Sequence, residues 1–239
     1  MDQVFNNLKQ KLNIPSNIAD YKMKGKSKVD DVKPDSSSRF SVKYFSEVLA
    51  ALTPHHKIVI SNSCFHNMLH FEQCFVPNSF AIWIANQVDI NSSDIIVRDK
   101  VIPLNRESVH IVLGLPLGGK SIHSNSDLGK RNILDSFAIT TIPSVKFFGA
   151  KLINNEDLSD EQILIKLDKS KTFGGCLFYL AVNYLDFLNF GLRKIPSSVP
   201  RIKVWKNSMI KDHAKFDKIS DGIYGRRPVK DISSTCYEK

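Results

Sequence analysis

The run from Phe173 to Phe190 constrains this fold more than any other stretch of the chain. It is the longest apolar run, yet it contains Gly174, Gly175, Asn183, Asp186 and Asn189. Those positions make it too polar to span a bilayer, so it predicts a helix buried in a protein core. At 239 residues the chain is long enough to supply that core. Its 42% apolar and 24% charged content is that of an ordinary globular protein.

Periodicity places further helices before this one. Phe45, Val48, Leu49 and Leu52 recur at helical spacing, and Pro54 closes that helix. A second helix is expected over about Cys64–Glu72. A third runs from Pro77 or Asn78 to about Val88, with Phe80, Trp83, Ile84 and Val88 on one stripe. Residues 94–104 read as a hairpin: Ile95, Ile96 and Val97, a polar Asp99-Lys100 turn, then Val101 and Ile102. Asn105 is a good N-cap for the next helix, with Glu107 in the first turn, where the helix dipole favours it. Helices follow near 127–137 and 144–152, and Ser159 with Gln162 forms a capping-box signature. Arg193 to Trp205 reads as extended and 206–218 as a last polar helix. The fold class is mainly α: an irregular helical domain with one small β-hairpin at about 94–104 and flexible basic termini.

The domain plan has three parts. Residues 1–38 hold a short amphipathic helix at 2–12 and, at 20–38, a Lys-, Asp- and Ser-rich linker. That linker cannot bury enough surface to offset chain entropy. Residues 39–218 form the folded domain, and 219–239 a flexible tail. The formal charge of +9 is unevenly placed: residues 40–190 carry 13 basic and 14 acidic groups, residues 191–239 carry 12 and 5. A neutral body with positive ends suits salt-sensitive contact with nucleic acid or another acidic partner. The plainer reading is that basic ends only aid solubility. Cys64, Cys74, Cys176 and Cys236 form no C-x-x-C pair, which fits a reducing compartment. With no signal-peptide pattern at Met1–Leu12, the cytoplasm or nucleus is expected, the nucleus being favoured.

Several residue patterns invite chemistry. Gly114 to Ser121 satisfies the phosphate-loop pattern G-x-x-x-x-G-K-[ST] letter for letter. A working loop needs a strand before it and a long helix starting at Lys120-Ser121. Ser108 to Leu113 fits either a strand or a helix, but Asn105 before it and Gly114-Leu115-Pro116 after it favour a helix and its stop. Ile122 to Asp127 is turn-like, so the P-loop-type NTP-binding reading is kept as the alternative. Cys64, His66, His70 and Cys74 resemble metal ligands but lack two short pairs flanking a turn, so no metal or cofactor is assigned. No nucleophile constellation emerges, and the chain is read as non-enzymatic. Arg201-Ile202-Lys203-Val204-Trp205-Lys206 alternates basic and apolar residues. As a strand it would project Arg201, Lys203 and Trp205 from one side, a phosphate-and-stacking surface, or it serves as a plain edge strand or packed arm. The candidate nucleic-acid-binding residues are Arg201, Lys203, Trp205, Lys206, Arg226 and Arg227.

The order of these elements resembles the plant mobile domain, a family also called aminotransferase-like. The residues that carry the likeness are Ile95 to Gly119, with Phe65, Met68-Leu69 and the Trp83 helix upstream. Downstream, Pro143 to Gly149, Gly174 to Phe187 and Pro200 to Lys206 follow in the same order. It covers about residues 40–217. Some similar proteins carry a ubiquitin-like-protein protease domain further on. The resemblance implies no catalytic residue and makes the glycines after Leu115-Pro116 a helix stop and turn. Between Leu167 and Asp168 this chain lacks an aromatic-rich helix–loop–helix stretch, a shortening expected to expose Leu177, Leu180, Ala181, Tyr184 and Leu188. The expected function is a non-enzymatic, mobile-element-derived interaction module, with a nucleic acid or a chromatin protein as partner and no membrane. A truncated product without activity is the third reading.

Overall fold

Helix α6, Leu177–Asp186, is the pillar around which the other elements gather: Phe178 through Asp186 are all buried. The computed structural model describes residues 42–238 except 73, 90, 119–130, 132–133, 136, 142–144, 155, 157, 161 and 164–176. The expected helix at 2–12, the linker at 20–38 and the shortening near 167–168 lie outside these residues, as does most of the helix expected near 127–137. The α-helices described from end to end are α1 Val42–Ala50, α2 Pro54–Ser61, α3 Asn78–Asn86, α4 Arg106–Leu113, α5 Val145–Ile153, α6 and α7 Met209–Asp217, with further helical residues at 131, 134–135, 160 and 162–163. Short 3-10 turns span His66–His70, Arg201–Lys203 and Ile232–Ser234. The fold is mainly helical, with one small antiparallel sheet.

Helix α6 is covered by α3, α4 and α7. Phe80 and Ile84 of α3 have no exposed surface, and Phe80, Trp83, Tyr184 and Tyr224 stack with centroids 4.9–5.9 Å apart. Burying a side chain such as Phe178, Leu180, Val182 or Leu185 contributes roughly 1.5–3 kcal/mol each. Leu180, Ala181, Tyr184 and Leu188 are buried and Leu177 is half-buried, which corrects the expectation that shortening exposes them. Cover for α6 comes from α3, α4 and α7, and the chain beyond α7 adds the Leu188–Val229 bridge.

Local chemistry sets the element ends. Pro54 opens a helix rather than only closing one: it occupies N1 of α2, where its missing N–H is harmless. Thr53 caps that helix, and buried His56 at N3 completes a capping box. The expected helix over Cys64–Glu72 contracts to the 3-10 turn His66–His70. The sheet orders β1 Val88–Asp89, β2 Asp94–Val97 and β3 Lys100–Pro103. Ile95 opposite Ile102 faces the core, whereas Ile96 opposite Val101 faces outward. The hairpin loop is Arg98-Asp99, both at positive φ as a tight two-residue turn demands, so Lys100 pairs with Val97 instead of turning.

Helix α4 begins as expected at Asn105, whose side chain accepts from the Ser108 N–H at 2.8 Å while Ser108 Oγ accepts from the Asn105 N–H at 3.0 Å. It stops at Gly114, which adopts φ +71°. A Cβ there would also lie 2.6 Å from the Asn67 Cβ, so left-handed backbone and close packing both demand glycine. Ser108 Oγ lies 2.6 Å from the Tyr179 hydroxyl, tying α4 to α6, and Asn183 Nδ2 donates to the Pro103 carbonyl, tying in the sheet. The Ser159–Gln162 capping box forms in both directions.

Two buried carboxylates organise the C-terminal third. Asp186 accepts from Arg201 Nη2 at 2.6 Å and Nε at 2.8 Å, Trp205 Nε1 at 2.9 Å and the Tyr237 hydroxyl at 2.9 Å. Arg201 spends its remaining donor on the Pro196 and Ser198 carbonyls. Asp217, at the end of α7, accepts from the Tyr184 hydroxyl, the Gly225 N–H and the Arg227 N–H at 2.8–2.9 Å. Burial nonetheless pushes its carboxyl up, those donors and Arg98 pulling the other way. The chain after α7 then runs back along α6, with Asn189 N–H bonded to the Pro228 carbonyl and Lys230 N–H to the Phe187 carbonyl. Residues 219–238 are therefore pinned to the core at Tyr224, Gly225 and Tyr237 while most of their other side chains stay exposed, which corrects the reading of 219–239 as a flexible tail. Tyr224 and Tyr237 are buried there.

A purified chain is expected to melt cooperatively. Arg201→Met, which strands the Asp186 carboxylate in the interior, is expected to cost about 3–5 kcal/mol. That loss should lower Tm by roughly 10 °C. Gly114→Ala is expected to cost about 2 kcal/mol from its backbone alone, read as a shift in urea midpoint.

Candidate nucleic-acid interface

The six residues singled out for nucleic-acid contact do not share a surface. Arg201 to Lys203 form a 3-10 turn, and alternation along a strand has no meaning in a turn of three residues per revolution. Arg201 is 2% exposed and Trp205 1%, both spent on Asp186, so neither can reach a phosphate or stack on a base. Arg227 is held by Asp217 through its backbone and by the Phe216 carbonyl through Nε. Arg226 is exposed, but it follows the C-terminal end of α7. Lys203 and Lys206 precede the N-terminal end, roughly 13 Å away along a nine-residue helix. Lys203 and Lys206 are what remains of the expected site.

Their surroundings come from distant sequence. Cys74 and Asn207 form an isolated parallel bridge, and the Phe75 N–H donates to the Asn207 carbonyl at 3.2 Å. Asn207 takes positive φ, turning the chain from Lys206 into α7. This bridge sets the His66–Val76 segment beside Lys203, Lys206 and Lys211. Lys203 is exposed, half-buried Lys206 pairs with Glu72, and Lys211 Nζ stands 5.4 Å from the Phe75 ring centroid. Phe75 is 56% exposed. The exposed His70 imidazole is held below the ordinary histidine value by partial burial, then by the charges of Lys203, Lys206 and His66. The result is a cationic surface along the His66–Val76 segment, with Lys211 at the Phe75 ring and Glu72 as an acidic member.

Such a surface can do two things chemically. Ammonium groups serve as point charges for phosphates, and an accessible ring offers a flat apolar face. Sequence reasoning reached Lys203 and Lys206 through local charge. It missed Phe75 and Lys211, and it met His66 and His70 only as would-be metal ligands. No local signal marks Phe75, because its neighbours arrive through a pairing across more than 130 residues.

The rival patterns resolve differently. The residues before the phosphate-loop letters form helix α4, not the strand that such a loop requires. Gly114 is its C-cap, its carbonyl accepts from Asn67 Nδ2 at 3.1 Å, and His110 Nδ1 donates to the Leu115 carbonyl. Gly119, Lys120 and Ser121 lie outside the described residues. Cys64 is exposed while Cys74 is buried in the bridge, and among the described residues no group of three His, Cys, Asp or Glu could hold a metal. No described helix is long and apolar enough to cross a membrane.

The His70 environment is testable. Its depressed folded value means that its contribution to stability is present above the unfolded value and is lost as pH falls through the folded one. In a pH titration followed by NMR, its midpoint is expected below that of the unfolded chain. Lys203→Gln with Lys206→Gln should raise it, since two repelling charges are removed. A midpoint indifferent to both lysines would separate His70 from this surface.

Comparison with known proteins gives one match. A family model described as a domain of unknown function, DUF8566, matches residues 38–166, just over half of the chain. No curated protein and no solved structure matches. The matched region includes His66, His70, Phe75, the sheet and the Gly114 helix stop, whereas Lys203, Lys206 and Lys211 lie beyond it. The chain belongs to the DUF8566 family, a domain of unknown function.

Proposed function

We propose that this chain is a non-enzymatic interaction module that holds nucleic acid weakly on the surface formed by His66, His70, Phe75, Lys203, Lys206 and Lys211. The observation that carries the reading is the convergence of cations on the His66–Val76 segment, Lys206 at Glu72, Lys203 and Lys206 near His70, and Lys211 against the exposed Phe75 ring. Three lysines offset by Glu72 make a modest electrostatic site, which suits weak contact. The ring favours nucleic acid over an acidic chromatin protein, because a base offers it a flat partner. A mobile-element origin and a nuclear location follow from the likeness in element order to the plant mobile domain.

Filter binding across a salt series tests this. Affinity is expected to fall with salt, with a log–log slope of about −2 to −3 for three phosphates. Lys203→Gln and Lys206→Gln should each weaken binding severalfold and flatten the slope by about one. Arg226→Gln, which alters a distant exposed cation, should change it little. Binding that is absent, or indifferent to salt, would remove the proposal.

A further inference from the structure

We infer that this surface selects single-stranded over duplex nucleic acid, with Phe75 as the platform on which an unpaired base stacks; this rests on the nucleic-acid reading above. Among the described Phe, Tyr and Trp side chains Phe75 alone is exposed, the others being buried or half-buried. A single exposed apolar side chain is ordinary on a protein surface; what distinguishes this one is that it is a ring with the Lys211 ammonium group set against it, a pairing of flat apolar face and cation that fits a stacked base and its phosphate. Its backbone does not wander. The Phe75 N–H is bonded to the Asn207 carbonyl, its neighbour Cys74 is buried, and Pro77 leads directly into α3. The ring is therefore presented in place before any ligand arrives, which lowers the ordering cost of binding.

Lys211 stands 5.4 Å from the ring centroid, with Lys206 and Lys203 in the segment that the Cys74–Asn207 bridge aligns with it. A strand stacking one base on Phe75 would carry its neighbouring phosphates past these ammonium groups. A duplex cannot use the ring in this way. Its base faces are already stacked on one another, and only base edges, sugars and phosphates reach its surface. Against a duplex the phenyl group would meet charged phosphate and water, so only the lysines would contribute. The preference for single strands thus resides in one side chain, and the salt dependence in others.

Fluorescence anisotropy with a labelled 12-mer of thymidylate, alone and annealed to its complement, separates the outcomes. The single strand is expected to bind at least fivefold more tightly than the duplex. Phe75→Ala should weaken single-strand binding by about tenfold and leave duplex binding and Tm nearly unchanged. Phe75→Trp should retain the preference, and its added indole emission should be quenched by the single strand but not by the duplex. Equal binding of both probes, or an equal loss for both in Phe75→Ala, would overturn the single-strand inference and leave the nucleic-acid reading standing. No salt-dependent binding of either probe would overturn that reading itself.

Discussion

The Asp186–Arg201 pair is the interaction on which the rest of this structure depends. Both side chains are almost completely withdrawn from water, and a charge so placed survives only when its bonding capacity is filled. Asp186 fills it with two nitrogens of one guanidinium, an indole and a phenol. The pair need not add much net stability, since desolvation offsets most of its Coulomb attraction. What it supplies is geometry. It draws the 196–205 segment, the end of α6 and the region of Tyr237 to one point, and it fixes the 3-10 turn from which Lys203 emerges.

Asp217 repeats the device at the other end of α7. The two carboxylates bracket that helix, one clamping the turn before it and the other the chain after it. Between them the returning segment lies along α6, and Tyr224 joins the aromatic stack of Phe80 and Trp83. The candidate surface inherits its rigidity from this arrangement. Lys206 and Asn207 sit between Trp205, anchored to Asp186, and α7, so Phe75 is bonded to a fixed partner.

Much of the fold was legible from local chemistry. The cap at Asn105, Ser159 with Gln162 and the stop at Gly114 depend on residues a few positions apart, and each occurs where the pattern places it; the Ile95–Ile102 pairing forms too, with its turn one residue earlier than Asp99-Lys100. Segment 201–206 was misread for the opposite reason. Its alternation matches a strand, but a buried carboxylate 15 residues upstream claims Arg201 and bends the chain into a turn. The tail was misread likewise: its polar, glycine-containing composition conceals Tyr224, Gly225 and Tyr237, whose roles are set by Trp83, Asp217 and Asp186. Phe75 and Lys211 were hidden because the Cys74–Asn207 bridge that brings their segments together leaves no periodic trace.

The bond between Asp186 and Tyr237 also sets a schedule for synthesis. The two residues are 51 positions apart, so Asp186 is synthesised before its phenol partner exists. Until residue 237 has emerged, the carboxylate at the end of the most apolar helix lacks one of its donors, and α6 lacks part of its cover. The N-terminal helices and the sheet can form early, but the core closes late. During that interval the nascent chain presents the face of α6 that the completed protein hides, and that face is where folding factors or premature association would act.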